Sequence, residues 1–136
     1  MTDPARPVAY FDSTLEEAVA LARDARDYLI YQEAADNTKL HPATRLTVSC
    51  EAMRVTTRVT QVIAWLLVQK AVHAGEMERA QAAEPQFRLG GQKVCKADAP
   101  AGAEALPERL TDLLDRSLGL YARVERLDAL LDKRQP

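Results

Sequence analysis

From residue 42 to residue 74 the chain runs without an internal glycine or proline. A stretch of that length fits a helix and no strand, since strands average ~5–6 residues. At 1.5 Å per residue such a helix is about 50 Å long, and Gly75 stands where a left-handed residue closes it. Its centre, Val62-Ile63-Ala64-Trp65-Leu66-Leu67-Val68, is apolar on every side. A helix covered on one face does not need that, so the middle must be packed from more than one direction.

Two further segments carry helical periodicity. Leu15, Ala18, Val19, Ala22, Ala25 and Leu29, flanked by Leu21 and Tyr28, make one apolar stripe, and Ser13-Thr14-Leu15-Glu16 ahead of it has the form of a capping box. Leu106, Leu110, Leu113, Ser117, Leu120, Val124, Leu127 and Leu131 alternate spacings of four and three, a heptad seam widened by Leu114, Tyr121 and Leu130. Helices are therefore expected at about 14–34, 43–74 and 107–131. Between the last two, residues 86–105 hold Gly90-Gly91, Pro100 and Gly102 without periodicity, which predicts a mobile linker. The expected fold is all-α: a single domain, 1–136, built as a three-helix, up-down-up antiparallel bundle with a long second helix.

Charge and composition narrow the function. Hydrophobic residues are 47% of the chain but aromatics only 5%, which favours helix, and the net charge of -2 gives no basic field for a phosphate backbone or an anionic membrane. The longest uncharged apolar stretch, 59–69, is far short of the ~20 residues that span a bilayer, and no secretory signal opens the chain, so a cytoplasmic protein is expected. Cys50 and Cys95 match neither a disulfide framework nor a zinc spacing and are expected as reduced thiols. His41 and His73 lie about 48 Å apart along a helical rise, so no metal site is expected. Gly90-Gly91-Gln92-Lys93 lacks the spacing of a phosphate loop, and no serine sits in a nucleophile motif. Neither an enzyme nor a cofactor is expected.

One surface stands out. Arg54, Arg58, Gln61 and Trp65 follow at four, three and four residues and share a helix face. Arg and Trp are enriched at binding hot spots, which makes these four the candidate partner-binding residues. The alternative is that Trp65 belongs to the core while the arginines are solvated or pair with Glu51 and acids of a neighbouring helix. A DNA-binding or transcription-associated regulator is the other functional class considered; it would concentrate cations on one element, and here they are scattered.

The run MRVTTRVTQVIAWLLVQKAV over residues 53–72, followed by AGEME over 74–78, resembles the signature of the regulator-of-CtrA-degradation family. LDRSLGLYARVERLD over 114–128 and, loosely, Phe11-Asp12-Ser13 resemble it too. The resemblance implies an alphaproteobacterial helical-bundle adaptor in regulated proteolysis. Its implied partners are a second copy of itself as a homodimer, the ClpXP protease machinery or its accessory adaptors, and a cell-cycle response regulator as substrate. It implies a cytoplasmic location, concentrated at a cell pole. Family members can carry a longer extension after the third helix, whereas this chain ends at Pro136.

Overall fold

A computed structural model of the chain describes residues 5–133. Its first helix, α1 (Ala5–Asp27), continues through a π-helical turn at Tyr28–Gln32 into Glu33–Asn37. It is followed by α2 (Pro42–His73), the short α3 (Arg79–Ala82) and α4 (Gln92–Cys95), and α5 (Glu108–Lys133). Among the described residues there are thus five α-helical elements and no strand, which corrects the expected three-helix description.

The first helix starts earlier than its capping pattern suggests. Ser13 is an exposed residue inside α1, and Thr14 donates to the Tyr10 carbonyl at 2.9 Å instead of capping an end. The reason is tertiary: buried Phe11 packs edge-on against Trp65 at 5.9 Å between centroids and lies 5.5 Å from the His73 ring, which anchors the extra turns. Pro7 falls in the first turn, where a missing N–H costs nothing. The buried stripe runs Phe11, Thr14, Ala18, Leu21, Ala25, Tyr28, while Leu15 and Ala22 pack at its edge. Leu29, expected inside, is exposed, because the burial phase stays with Tyr28 as the helix enters its wider π turn.

The second helix keeps its expected limits. His41 Nδ1 accepts from the Ala43 amide at 3.2 Å at its start, with Pro42 in the first position. At its end Gly75 has φ +77°, and the Glu76 amide reaches back to the Ala71 carbonyl at 2.9 Å, closing a Schellman turn.

The chain direction of the third long helix differs from expectation. Asp24 bridges Arg116 and Glu17 bridges Arg123, so α1 and α5 are antiparallel. Phe11 against Trp65 and His73 makes α1 and α2 antiparallel as well. It follows that α2 and α5 are parallel, and Arg58 meets Leu114 and Ser117 while Trp65 meets Asp128, seven residues further along α2. The bundle is up-down-down rather than up-down-up. Two parallel helices need a crossover that returns the length of the bundle, and residues 74–107 are that crossover.

Candidate functional site

The crossover lies along α2 as a strap and runs opposite to it, with Arg88 level with Trp65, Gly90 with Gln61, Cys95 with Arg58, and Ala97 with Arg54. Arg54, Arg58 and Gln61 make these contacts directly, and Trp65 meets Arg88 through their shared acceptor Asp128, so the structure does bring the four residues that periodicity singled out together on one face. It turns that face inward, which corrects the expectation of an open contact surface: Trp65 is 2% exposed and Arg58 4%.

The strap is held chiefly through its backbone. Arg58 Nε donates to the Cys95 carbonyl at 2.9 Å, and Nη1 donates to the Leu114 carbonyl at 3.0 Å and to Ser117 Oγ at 3.1 Å. A single planar guanidinium therefore joins α2, the strap and α5. Burial, and secondarily the positive charge of Arg54, lower its proton affinity, while the atoms it donates to are carbonyl and hydroxyl oxygens. Arg54 donates to the Ala97 carbonyl at 3.1 Å and the Asp98 carbonyl at 3.3 Å and pairs with buried Glu51 at 3.4 Å. Gln61 Oε1 accepts from the Gly90 amide at 3.1 Å, and Tyr121 donates to the Gly90 carbonyl at 2.8 Å, satisfying both backbone groups of one strap residue from two helices.

At the upper end Asp128, 6% exposed, accepts from Trp65 Nε1 at 2.8 Å and takes a two-point grip from Arg88, Nε at 2.7 Å and Nη2 at 3.1 Å. The indole, the carboxylate and the strap arginine form one charge-assisted node. Leu89 and Cys95 plug the strap into the core at 5% and 0% exposure. Gly91 adopts φ +73°, and a Cβ there would lie 3.3 Å from Cys95 Sγ and 3.4 Å from Gln61 Cγ. The Gly90-Gly91 pair thus serves close backbone approach to α2. Burial pushes the Cys95 thiol up, away from the reactive thiolate.

Tyr121, Ser117, Arg88 and Asp128 were not among the candidates from sequence. The seam that buries Ser117, Leu120 and Val124 carried the signal for Asp128, which follows Val124 by four residues where the heptad reading placed Leu127. Leu127 and Leu131 are partly buried at the edge. Among the described residues no group of three or more His, Cys, Asp or Glu is placed to hold a metal ion, and no helix is long and apolar enough to cross a membrane.

This strapped bundle has relatives. A family model described as "Protein of unknown function (DUF1465)" matches residues 5–136. The chain belongs to the DUF1465 family. The crystal structure of RcdA from Caulobacter crescentus CB15 is similar over 89% of this chain and 89% of that one, at 36% identity and a TM-score of 0.70. No curated protein matches. At that identity and coverage the DUF1465 chain is an RcdA-like protein.

Proposed function

We propose that the protein is a non-catalytic adaptor in regulated proteolysis, which helps deliver a cell-cycle response regulator to the ClpXP protease. The observation that carries this reading is the chain-wide likeness to RcdA at 36% identity. It agrees with a sequence that offers no nucleophile motif.

In this reading Arg54, Arg58, Gln61 and Trp65 serve partner binding indirectly, by fixing the strap whose outer side, Gln92, Lys93 and Val94, is exposed. A DNA-binding role loses its basis, because the α2 arginines it would use donate to the chain's own carbonyls.

A second copy of the chain is part of the proposal. Between Leu46 and Leu67 every exposed residue of α2 is uncharged: Leu46, Ser49, Cys50, Met53, Thr56, Thr60, Ala64 and Leu67. Glu51 and Arg58 are buried and Arg54 is partly buried on the inner side of this helix, while charge is absent from this length of its outer side, an inversion that suits a face covered by its own symmetry mate.

The test is reconstitution with purified components: loss of a CtrA-type response regulator through ClpXP is followed with and without the chain, beside capture of ClpX from a lysate. Faster substrate loss and recovered ClpX are expected. Unchanged substrate loss with recovery of nucleic acid alone would overturn the proposal.

A further inference from the structure

One surface of α1 is left unexplained by the packing of the bundle. At the π turn three consecutive large side chains, Leu29, Ile30 and Tyr31, are 41%, 60% and 75% exposed. Such a run is costly to leave in water, and π turns recur at functional sites. Its place follows from the ion pair of Asp12 with Lys70 at 2.8 Å, which joins α1 and α2 at their outer edge, where both side chains are partly exposed. Ile30 comes 18 residues after Asp12, Ala52 comes 18 before Lys70, and 18 residues are five turns of 3.6. In antiparallel helices the same juxtaposition recurs there. Ile30 therefore stands beside Ala52, next to Ser49 and Thr56 of the outer α2 face.

That outer face is small for a stable pairing of two copies. Between Leu46 and Leu67 it offers eight exposed residues, whereas a standard interface takes about 20–30 residues a side. The contact must spread to a neighbour of α2. On the strap side the exposed residues include Lys93 and Lys96, while beside this end of α2 the π turn presents Leu29, Ile30 and Tyr31. Interface cores are poor in charge and lysine is among the residues depleted from them, so the α1 side is the one that fits. Further up α1 Arg23 and Arg26 are exposed, which confines the apolar extension to the π turn.

A two-fold pairing must also complement itself. Run parallel, α2 would set Met53 on Met53 and Thr60 on Thr60, crowding one level and leaving a gap at the other. Run antiparallel about a point between Thr56 and Thr57, it sets Met53 against Thr60 twice and Leu46 against Leu67 twice. Large then meets small near the middle, and apolar meets apolar at both ends. The same register brings the level of Ile30 within a turn of Ile63 on the other copy; Ile63 is partly buried and, seven residues before Lys70, lies on the same edge of α2.

We propose that two copies pair through α2 in antiparallel register about Thr56 and Thr57, and that Ile30 of each π turn seats against the other copy's α2 beside Ile63. The two π turns then lie at opposite ends of the paired helices and widen the contact at both. The inference rests on the reading that a second copy covers the outer face of α2; it adds the direction, the register and the part of α1 that completes the interface.

The test uses the full chain in two measurements. Sedimentation over a dilution series compares the wild type with Ile30→Glu and Ile30→Ala, both at an exposed position. Each variant is expected to keep the circular dichroism spectrum and to raise the dimer dissociation constant, Ile30→Glu at least tenfold and Ile30→Ala by less. Mild oxidation then reads the register. The exposed Cys50 of the wild type should give no covalent dimer, because antiparallel pairing about Thr56 and Thr57 leaves the two Cys50 residues about 20 Å apart along the helices, beyond the ~7 Å that a disulfide spans. Thr56→Cys should give one. A wild-type dimer that Ile30→Glu leaves as tight as before would overturn the role of the π turn, and a Cys50 cross-link, or none from Thr56→Cys, would overturn the register; in each case the dimer itself would stand. A wild type that sediments at 15.1 kDa at every concentration would instead overturn the second copy and this inference with it.

Discussion

Arg58 shows how far a side chain's chemistry can be read before its surroundings are known. Helical spacing places it with Arg54, Gln61 and Trp65, and the structure keeps that grouping; what spacing does not tell is which side of the helix faces the core. A charged residue is assigned to solvent by default because full burial of Arg is rare unless it is paired. Here the partners are the carbonyls of Cys95 and Leu114 and the Ser117 hydroxyl, and main-chain carbonyls are the one acceptor that every residue carries, so no residue type announces them. Trp65 poses the same problem in reverse: its indole was legible as core or as hot spot, and its hydrogen bond to Asp128 decides for core. The consequence is measurable at Arg58. Arg58→Ala takes the buried donor from the Cys95 carbonyl and unties the strap from α5, and should lower stability by about 2–4 kcal/mol. Arg58→Lys should recover less than half of that, since an ammonium does not reproduce the planar fork that reaches the strap and α5 together. Urea midpoints of the two variants check this; two midpoints equal to wild type would show that the guanidinium does not hold the strap.

Among the elements, the long α2 and the seam of α5 were the most legible, because a run without Gly or Pro and an alternation of four and three leave few alternatives. The start of α1 was misplaced because a capping pattern is local, whereas the extra turns are held by Phe11 on Trp65, contacts 54 residues apart in sequence by the numbering. The strap was the least legible. Its Gly, Pro and small residues predict mobility, yet Leu89 and Cys95 are buried, the Arg88 side chain holds Asp128, and the backbone is gripped from Gly90 to Asp98. Irregular composition here reflects a path that must follow α2 closely, where Gly90 and Gly91 let the backbone approach, and composition alone does not separate that from disorder. The gripped part ends near Asp98. Beyond it Ala99, Ala101, Gly102, Glu104 and Ala105 are exposed. Proteinase K is therefore expected to cut first within 99–105, with residues 88–96 protected until the bundle unfolds. First cuts at 88–96, mapped by mass spectrometry, would show that the strap opens as a whole.

The whole molecule is arranged by the direction of α5. A bundle with α2 and α5 antiparallel would need only a short turn between them, and sequence periodicity is blind to that choice because a helix stripe is the same read in either direction. With the two helices parallel, the strap covers one flank of α2 and the other helices cover more of it, which accounts for the all-round apolar section at Val62, Trp65 and Leu66 without a second molecule. The case for self-association lies with the outer side of the same helix, where Ala64 and Leu67 of the apolar run stay exposed. It rests on the outward residues from Leu46 to Leu67, where Leu46, Met53 and Leu67 are 68%, 70% and 52% exposed and no charge intervenes. A face of this kind is costly to leave in water and suits close approach of two helices across a two-fold axis, since Thr60 and Ala64 between the large side chains are small. Sedimentation is expected to show a species of twice the 15.1 kDa chain mass that dissociates on dilution, with a thermal midpoint that rises with concentration. Met53→Glu places a charge in the middle of the stripe, where two copies would bring like charges together, and should give a 15.1 kDa species whose circular dichroism spectrum is unchanged. A wild-type chain that sediments at 15.1 kDa up to the highest concentration would leave this face without a second copy. A Met53→Glu dimer as tight as wild type would place the contact elsewhere on the bundle.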